Sequence, residues 1–141
     1  MKNSGIDPKT CLPDEAKFEA FMLQYRQQIM LYESAIQCVT MRLDLIEKEC
    51  EAQRMRKPIR SVSSRIKTLG SINRKLKTKG LPLTMESMIG LNDVAGIRVI
   101  CEYIHDVYAV RDALLSAVCL NFYRKRIISK IRSQTVIAAF T

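Results

Sequence analysis

Between Asp14 and Arg56 the chain has no Gly or Pro, and its apolar residues recur at helical spacing. They fall at Phe18, Phe21, Tyr25, Ile29, Tyr32, Ile36, Val39, Leu43, Ile46 and Cys50, each three or four positions after the last. That is one stripe of an α-helix. At about 1.5 Å per residue the segment reaches roughly 60 Å if unbroken. A bend or a pair of helices is therefore expected. Asp14 and Glu15 suit the start, where negative charge meets the helix dipole, and Pro58 is expected to end the helical region. The stripe fits core packing or a helix–helix seam better than a ligand site.

After Pro58 the period changes. From Ile59 to Thr68, Val62, Ser64 and Ile66 alternate with Ser63, Arg65 and Lys67, which predicts a strand with one apolar-leaning face and one cationic face. Ser71 is the expected N-cap of a short helix bearing Ile72, Lys75 and Leu76, and Gly80 is expected to stop it. Glu86 to Leu91 reads as a weak helix. Val94 to Ile104 (VAGIRVICEYI) is β-branched-rich and predicts a buried strand. Asp106 to Ser116 returns to helical spacing through Val107, Val110 and Leu114. Strands alternating with helices point to an α+β or mixed α/β layer.

The chain has 141 residues, a length that suits one domain, and a formal net charge of +9. The excess is local: Arg54 to Lys79 holds ten basic residues and no acid, Ala117 to Thr141 holds five and no acid, and the rest is net acidic. Basic clusters attract polyanions, although a run of Lys and Arg is also what a solvated face carries. The first 17 residues lack the apolar stretch of a secretory signal, and no apolar run approaches the ~20 residues of a membrane span. Five Cys with no CxxC pair argue against a disulfide framework or zinc site and for reduced thiols in the cytoplasm.

Six residues form a candidate site. Arg65 and Lys67 share a strand face, with Ser71 and Lys75 on the turn and helix immediately after it. A helix N-terminus beside cations is a ready phosphate site. Asp93 directly precedes the second predicted strand, where a carboxylate can hold Mg²⁺, and Arg98 lies five residues further along. Cations for phosphate oxygens and a carboxylate for a metal are what transfer chemistry on a triphosphate needs. A plainer arrangement also fits, with Asp93 capping a turn and Arg98 as its ion-pair partner.

The strings PIRSVSSRIKTLGSINRKLKTKG and LNDVAGIRVICEYIHDVYAVRDALLS closely resemble RelA/SpoT-type alarmone synthetases, and in particular the stand-alone small ones, over roughly residues 28 to 116. The RIK…SI…K and D-x-A-G-x-R-V elements carry the likeness. The resemblance implies an α+β fold: a long N-terminal helical region over 1–57, then the first half of a mixed-sheet, nucleotidyltransferase-like synthetase domain over 58–116. It implies transfer of the pyrophosphoryl group of ATP to the 3′-hydroxyl of GTP or GDP, giving (p)ppGpp and AMP in the stringent response. Arg65 and Lys67 would grip ATP phosphates, Ser71 and Lys75 would complete the cradle, Asp93 would ligate Mg²⁺, and Arg98 would stack on or bind the nucleotide. His105 falls where the family often has an acid, and is expected to be a solvent-facing loop residue. The implied partners are nucleotides and further copies of the chain, with no membrane. A basic RNA- or phosphate-binding module is the alternative, but Arg54 to Lys79 contains no aromatic residue on which bases could stack.

After Ser116 the visible motifs stop. The family's K-D-Y-I segment, its N-G-Y-R-S-x-H motif with the guanine-stacking tyrosine, and its second acidic residue are not in this sequence. Read two bases into each codon, permitted codons for Arg124 to Thr141 spell E-K-D-Y-I-K-N-P-K-P-N-G-Y-R-S-F-H. A frameshift between about Leu115 and Arg124 is therefore expected, with 117–141 an aberrant basic tail; the codons there decide it. The chain is expected to be inactive or weakly nucleotide-binding. The second strand is expected to keep unpaired edges.

Overall fold

The computed structural model describes residues 12–116, 127–132 and 135–140. Helix α1 (Leu12–Ala52) is followed by strand β1 (Ile59–Ile66), helices α2 (Leu69–Thr78) and α3 (Met85–Ile89), strand β2 (Ala95–Cys101), helix α4 (Ile104–Ser116) and strands β3 (Ile127–Arg132) and β4 (Thr135–Phe140). The four strands make one sheet in the order β1-β2-β4-β3, and each adjacent pair is antiparallel.

Helix α1 is continuous over 41 residues, where a bend or two helices was expected. Its one proline, Pro13, sits in the first turn, where no helical N–H bond is needed, and nothing after it breaks the hydrogen-bond ladder. The second half carries it: Tyr32, Ala35, Val39, Leu43 and Ile46 are buried in the core. In the first half the stripe is only partly covered: Phe21, Tyr25 and Ile29 are half-buried, the last two packing on the core, and Phe18 is exposed, as are Leu23 and Met30 outside the stripe. The helix also stops well before Pro58. Arg54 takes a positive φ of 54°, its N–H donates to the Glu51 carbonyl, and the Met55 N–H donates to the Cys50 carbonyl. These two bonds satisfy the last free carbonyls of the helix.

Strand β2 alternates as expected. Ala95, Ile97, Val99 and Cys101 are buried, while Arg98 faces out. The buried side chains meet α1 and α4, the latter through Val107, Val110 and Leu114. Ile72, Leu76, Met88, Leu91 and Val94 complete the core. The expectation of unpaired edges on β2 is overturned, because β2 is an inner strand with β1 on one side and β4 on the other. The hairpin that covers it comes from residues 127–132 and 135–140, a stretch with no clear period of its own. Strand β1 has less of an apolar face than its alternation suggested: only Ile59 is buried and Val62 is exposed.

An ion pair joins the two ends of the helical layer. Asp106 is buried, and its Oδ2 accepts from Arg56 Nη2 at 2.8 Å and from the Tyr103 N–H at 3.2 Å. The second bond caps α4. The Arg56 guanidinium also lies 4.6 Å from the Tyr103 ring centre. His105 is exposed, as expected, but on the first turn of α4 rather than in a loop, stacked on Tyr103 at 5.6 Å. No helix among the described residues is long and apolar enough to cross a membrane.

Candidate nucleotide site

The site lies where β1 runs into α2 and where the chain enters β2. The β1–β2 ladder continues one step past Ile66↔Ala95, with the Lys67 N–H donating to the Val94 carbonyl at 2.7 Å. That step sets Lys67 beside Asp93. Helix α2 begins immediately after, and its second turn brings Lys75 to the same carboxylate. The Lys67 ammonium donates to Asp93 Oδ2 at 2.6 Å, and the Lys75 ammonium donates to that same oxygen. Neither contact uses Oδ1. Burial works to raise the Asp93 carboxyl, but hydrogen bonds from Lys67 and then Lys75 prevail, holding it below the usual aspartate range. It stays ionised throughout the neutral range.

The cap of α2 differs from the expectation. Thr68, not Ser71, is the N-cap; its Oγ1 accepts from the Ser71 N–H at 3.3 Å. Both residues have the chemistry of a cap, but the helix starts three residues earlier than the Gly70–Ser71 pair suggested. The Ser71 hydroxyl accepts from Thr68 Oγ1 at 3.1 Å and from Arg74 Nη2 at 3.4 Å, so Ser71 sits in the first turn with its oxygen partnered. The far end of α2 matches the reading: Gly80 has φ +70° and follows the C-cap Lys79.

Arg65 and Arg98 occupy the sheet face opposite the helices. In the β1–β2 register Ser63 lies across from Arg98, and Arg65 lies across from Gly96. The two arginines therefore stand on one diagonal of a four-residue square, with two small residues on the other. Diagonal positions on an antiparallel pair are about 7–8 Å apart. A shallow groove of about 390 Å³ opens there, lined by Ser63, Arg65, Lys67, Asp93, Gly96 and Arg98 among others. The structure thus gathers five of the six predicted residues: Arg65, Lys67, Asp93 and Arg98 line the groove, and Lys75 joins through Asp93. Ser71 stays in the cap of α2. Arg98 is not the ion partner of Asp93; the two lysines are. Ser63 and Gly96 were missed by sequence reading, though the alternation of β1 and the A-G-x-R string placed both on this face.

Among the described residues no three His, Cys, Asp or Glu side chains gather as a metal cluster. One carboxylate whose Oδ1 is outside the lysine contacts, facing a cationic groove, suits Mg²⁺. That ion commonly takes one or two protein carboxylates and fills its shell with water and phosphate oxygens.

Comparison with known proteins bears on the family and the fold. The family described as "Region found in RelA / SpoT proteins" matches residues 64–135, past Ser116, where the visible motifs stop. The GTP pyrophosphokinase YwaC of Bacillus subtilis is 31% identical over 94 residues, covering 66% of this chain and 45% of that protein. YjbM, a GTP pyrophosphokinase of the same organism, is 30% identical over 104 residues, covering 73% and 44%. The chain thus spans about half the length of the curated relatives it matches. The structure of small alarmone synthetase 1 from B. subtilis bound to AMPCPP superposes with a TM-score of 0.58 at 25% identity, covering 77% of this chain and 55% of that one.

Proposed function

This chain belongs to the RelA/SpoT family, and from that premise we propose that it carries the ATP-binding side of a GTP pyrophosphokinase site. The reaction is transfer of pyrophosphate from ATP to the 3′-hydroxyl of GTP or GDP. One observation carries the reading: Lys67 and Lys75 converge on Asp93 at the edge of a groove flanked by Arg65 and Arg98. Lys67 and Lys75 bind phosphate oxygens, with Arg65 beside them. Ser71 and the first turn of α2 close the cradle. Asp93 holds Mg²⁺, which when bound neutralises charge on the phosphates.

The diagonal of Arg65 and Arg98 supports a role for Arg98 in stacking. A planar base between two guanidinium planes needs about 7 Å, which is the diagonal spacing of the strand pair. Ser63 and Gly96 leave the floor of that slot clear. Replacing Gly96 with Val is therefore expected to lower affinity for AMPCPP at least tenfold without loss of cooperative unfolding. Isothermal titration with circular dichroism checks it; unchanged affinity would rule the slot out.

The acceptor side rests on different residues. No N-G-Y-R-S-x-H motif stands in the 141-residue sequence, so this reading makes the chain a nucleotide binder that forms no (p)ppGpp by itself. Positioning both substrates in line is what the transfer requires. The aberrant tail, explained by a frameshift, is part of the same proposal. Incubation with ATP, GTP and Mg²⁺, followed by separation of the nucleotides, is expected to give no (p)ppGpp, and clear product formation would overturn this part. Free thiols at Cys38, Cys50 and Cys101 fit a cytoplasmic setting. The exposed Phe18, Leu23 and Met30 on α1 support assembly of copies through that helix.

A further inference from the structure

Asp93 has two claims on it. It is the metal carboxylate of the proposed site, yet its Oδ2 is held by the two ammonium groups that would bind phosphate. Both roles draw on one negative charge, so a cation on Oδ1 weakens the hold of Oδ2 on the two lysines. While Asp93 pairs with Lys67 and Lys75, a polyphosphate approaching those lysines meets a carboxylate of its own sign already on them. Like charges sharing one site repel. The two lysines are half-buried, at 18% and 32% side-chain exposure, while Asp93 at 45% is open to an approaching cation.

Resting on the reading above, we propose that Asp93 is an internal counter-anion that occupies the phosphate-binding lysines until a divalent cation engages it. Cation and polyphosphate then bind with positive coupling, the cation switching both lysines from the carboxylate to the phosphate. Neutralising Asp93 does the same work without a metal. The consequence runs against the ordinary behaviour of a metal ligand: removing its charge strengthens binding of a metal-free polyanion. Coupling of this kind is reciprocal, and typical values correspond to about 5- to 150-fold in affinity.

The test is titration of the full chain with inorganic tripolyphosphate, in EDTA and in excess Mg²⁺. The unsubstituted protein is expected to bind about tenfold more tightly with Mg²⁺. Asp93→Asn is expected to bind metal-free tripolyphosphate about tenfold more tightly than the unsubstituted protein, with no further gain from Mg²⁺. Equal or weaker metal-free binding by Asp93→Asn overturns the proposal. Lys75→Ala separates the two levels of the argument. If Lys75→Ala weakens tripolyphosphate binding while Asp93→Asn gains nothing, the phosphate site stands and the counter-anion role falls. If neither the unsubstituted protein nor Asp93→Asn binds tripolyphosphate, both fall.

A second measurement needs no variant that must fold. With lysines carrying ¹³C-methyl labels, Mg²⁺ alone is expected to move the Lys67 and Lys75 signals, because it takes their partner. Signals that stay in place overturn the proposal.

Discussion

Exchanging Leu43 for Ala is expected to remove about 3–4 kcal/mol of unfolding free energy, within the range for burying and then deleting a leucine. Leu43 is 1% exposed and lies in the half of α1 that packs on the sheet with Val39 and Ile46. The core it belongs to is built from α1, α2, α3, α4 and β2, so a cavity there is not closed by moving one element. Because small domains hold only about 5–15 kcal/mol in total, this one change consumes a large share. Urea denaturation followed by circular dichroism reads the effect: the midpoint falls while the slope stays the same. A loss under about 1 kcal/mol would mean that α1 is not held by its second half.

The second large effect belongs to the site. Lys75→Ala is expected to weaken Mg²⁺-loaded AMPCPP binding by roughly 10- to 100-fold, the cost of one hydrogen bond to a charged group. The same change leaves Asp93 with Lys67 alone. Lys75→Arg keeps the charge but presents it on a planar fork instead of a compact ammonium, and is expected to recover only part of the affinity. Titration calorimetry at two salt concentrations checks both points. An affinity for AMPCPP that ignores Lys75 would remove it from the cradle.

Much of the fold could be read in the chain because its signals were local. The apolar stripe of α1, the alternation of Ala95, Ile97 and Val99, and the return of helical spacing at Val107, Val110 and Leu114 each reflect which face is buried. The length of α1 misled because helix statistics describe helices packed along their whole length, and the first turns of this one, through Phe18, are exposed. The pairing of β4 with β2 was hidden for a different reason. Residues 135–140 carry no alternation, and their place is set by a partner some forty residues earlier. At the site, the basic and acidic residues were legible as a set but their pairing was not. Spacing placed Arg98 and Asp93 on one strand entry, and only the fold shows that Lys67 and Lys75, from β1's end and from α2, reach the carboxylate first. Ser71 and Thr68 carry the same cap chemistry, so the sequence alone favoured the one beside Gly70.

The strand order has a consequence for biosynthesis. Strand β2 sits between the second strand of the chain's last hairpin and the first strand of the sheet. Residues 95–101 emerge from the ribosome while residues 135–140, which cover them, are still inside its exit tunnel. Until then the nascent chain presents one side of an apolar strand without a partner, the kind of edge on which chains associate. The sheet therefore closes only when both have emerged, and the time between emergence of Cys101 and of Phe140 is the interval in which a chaperone has the most to protect.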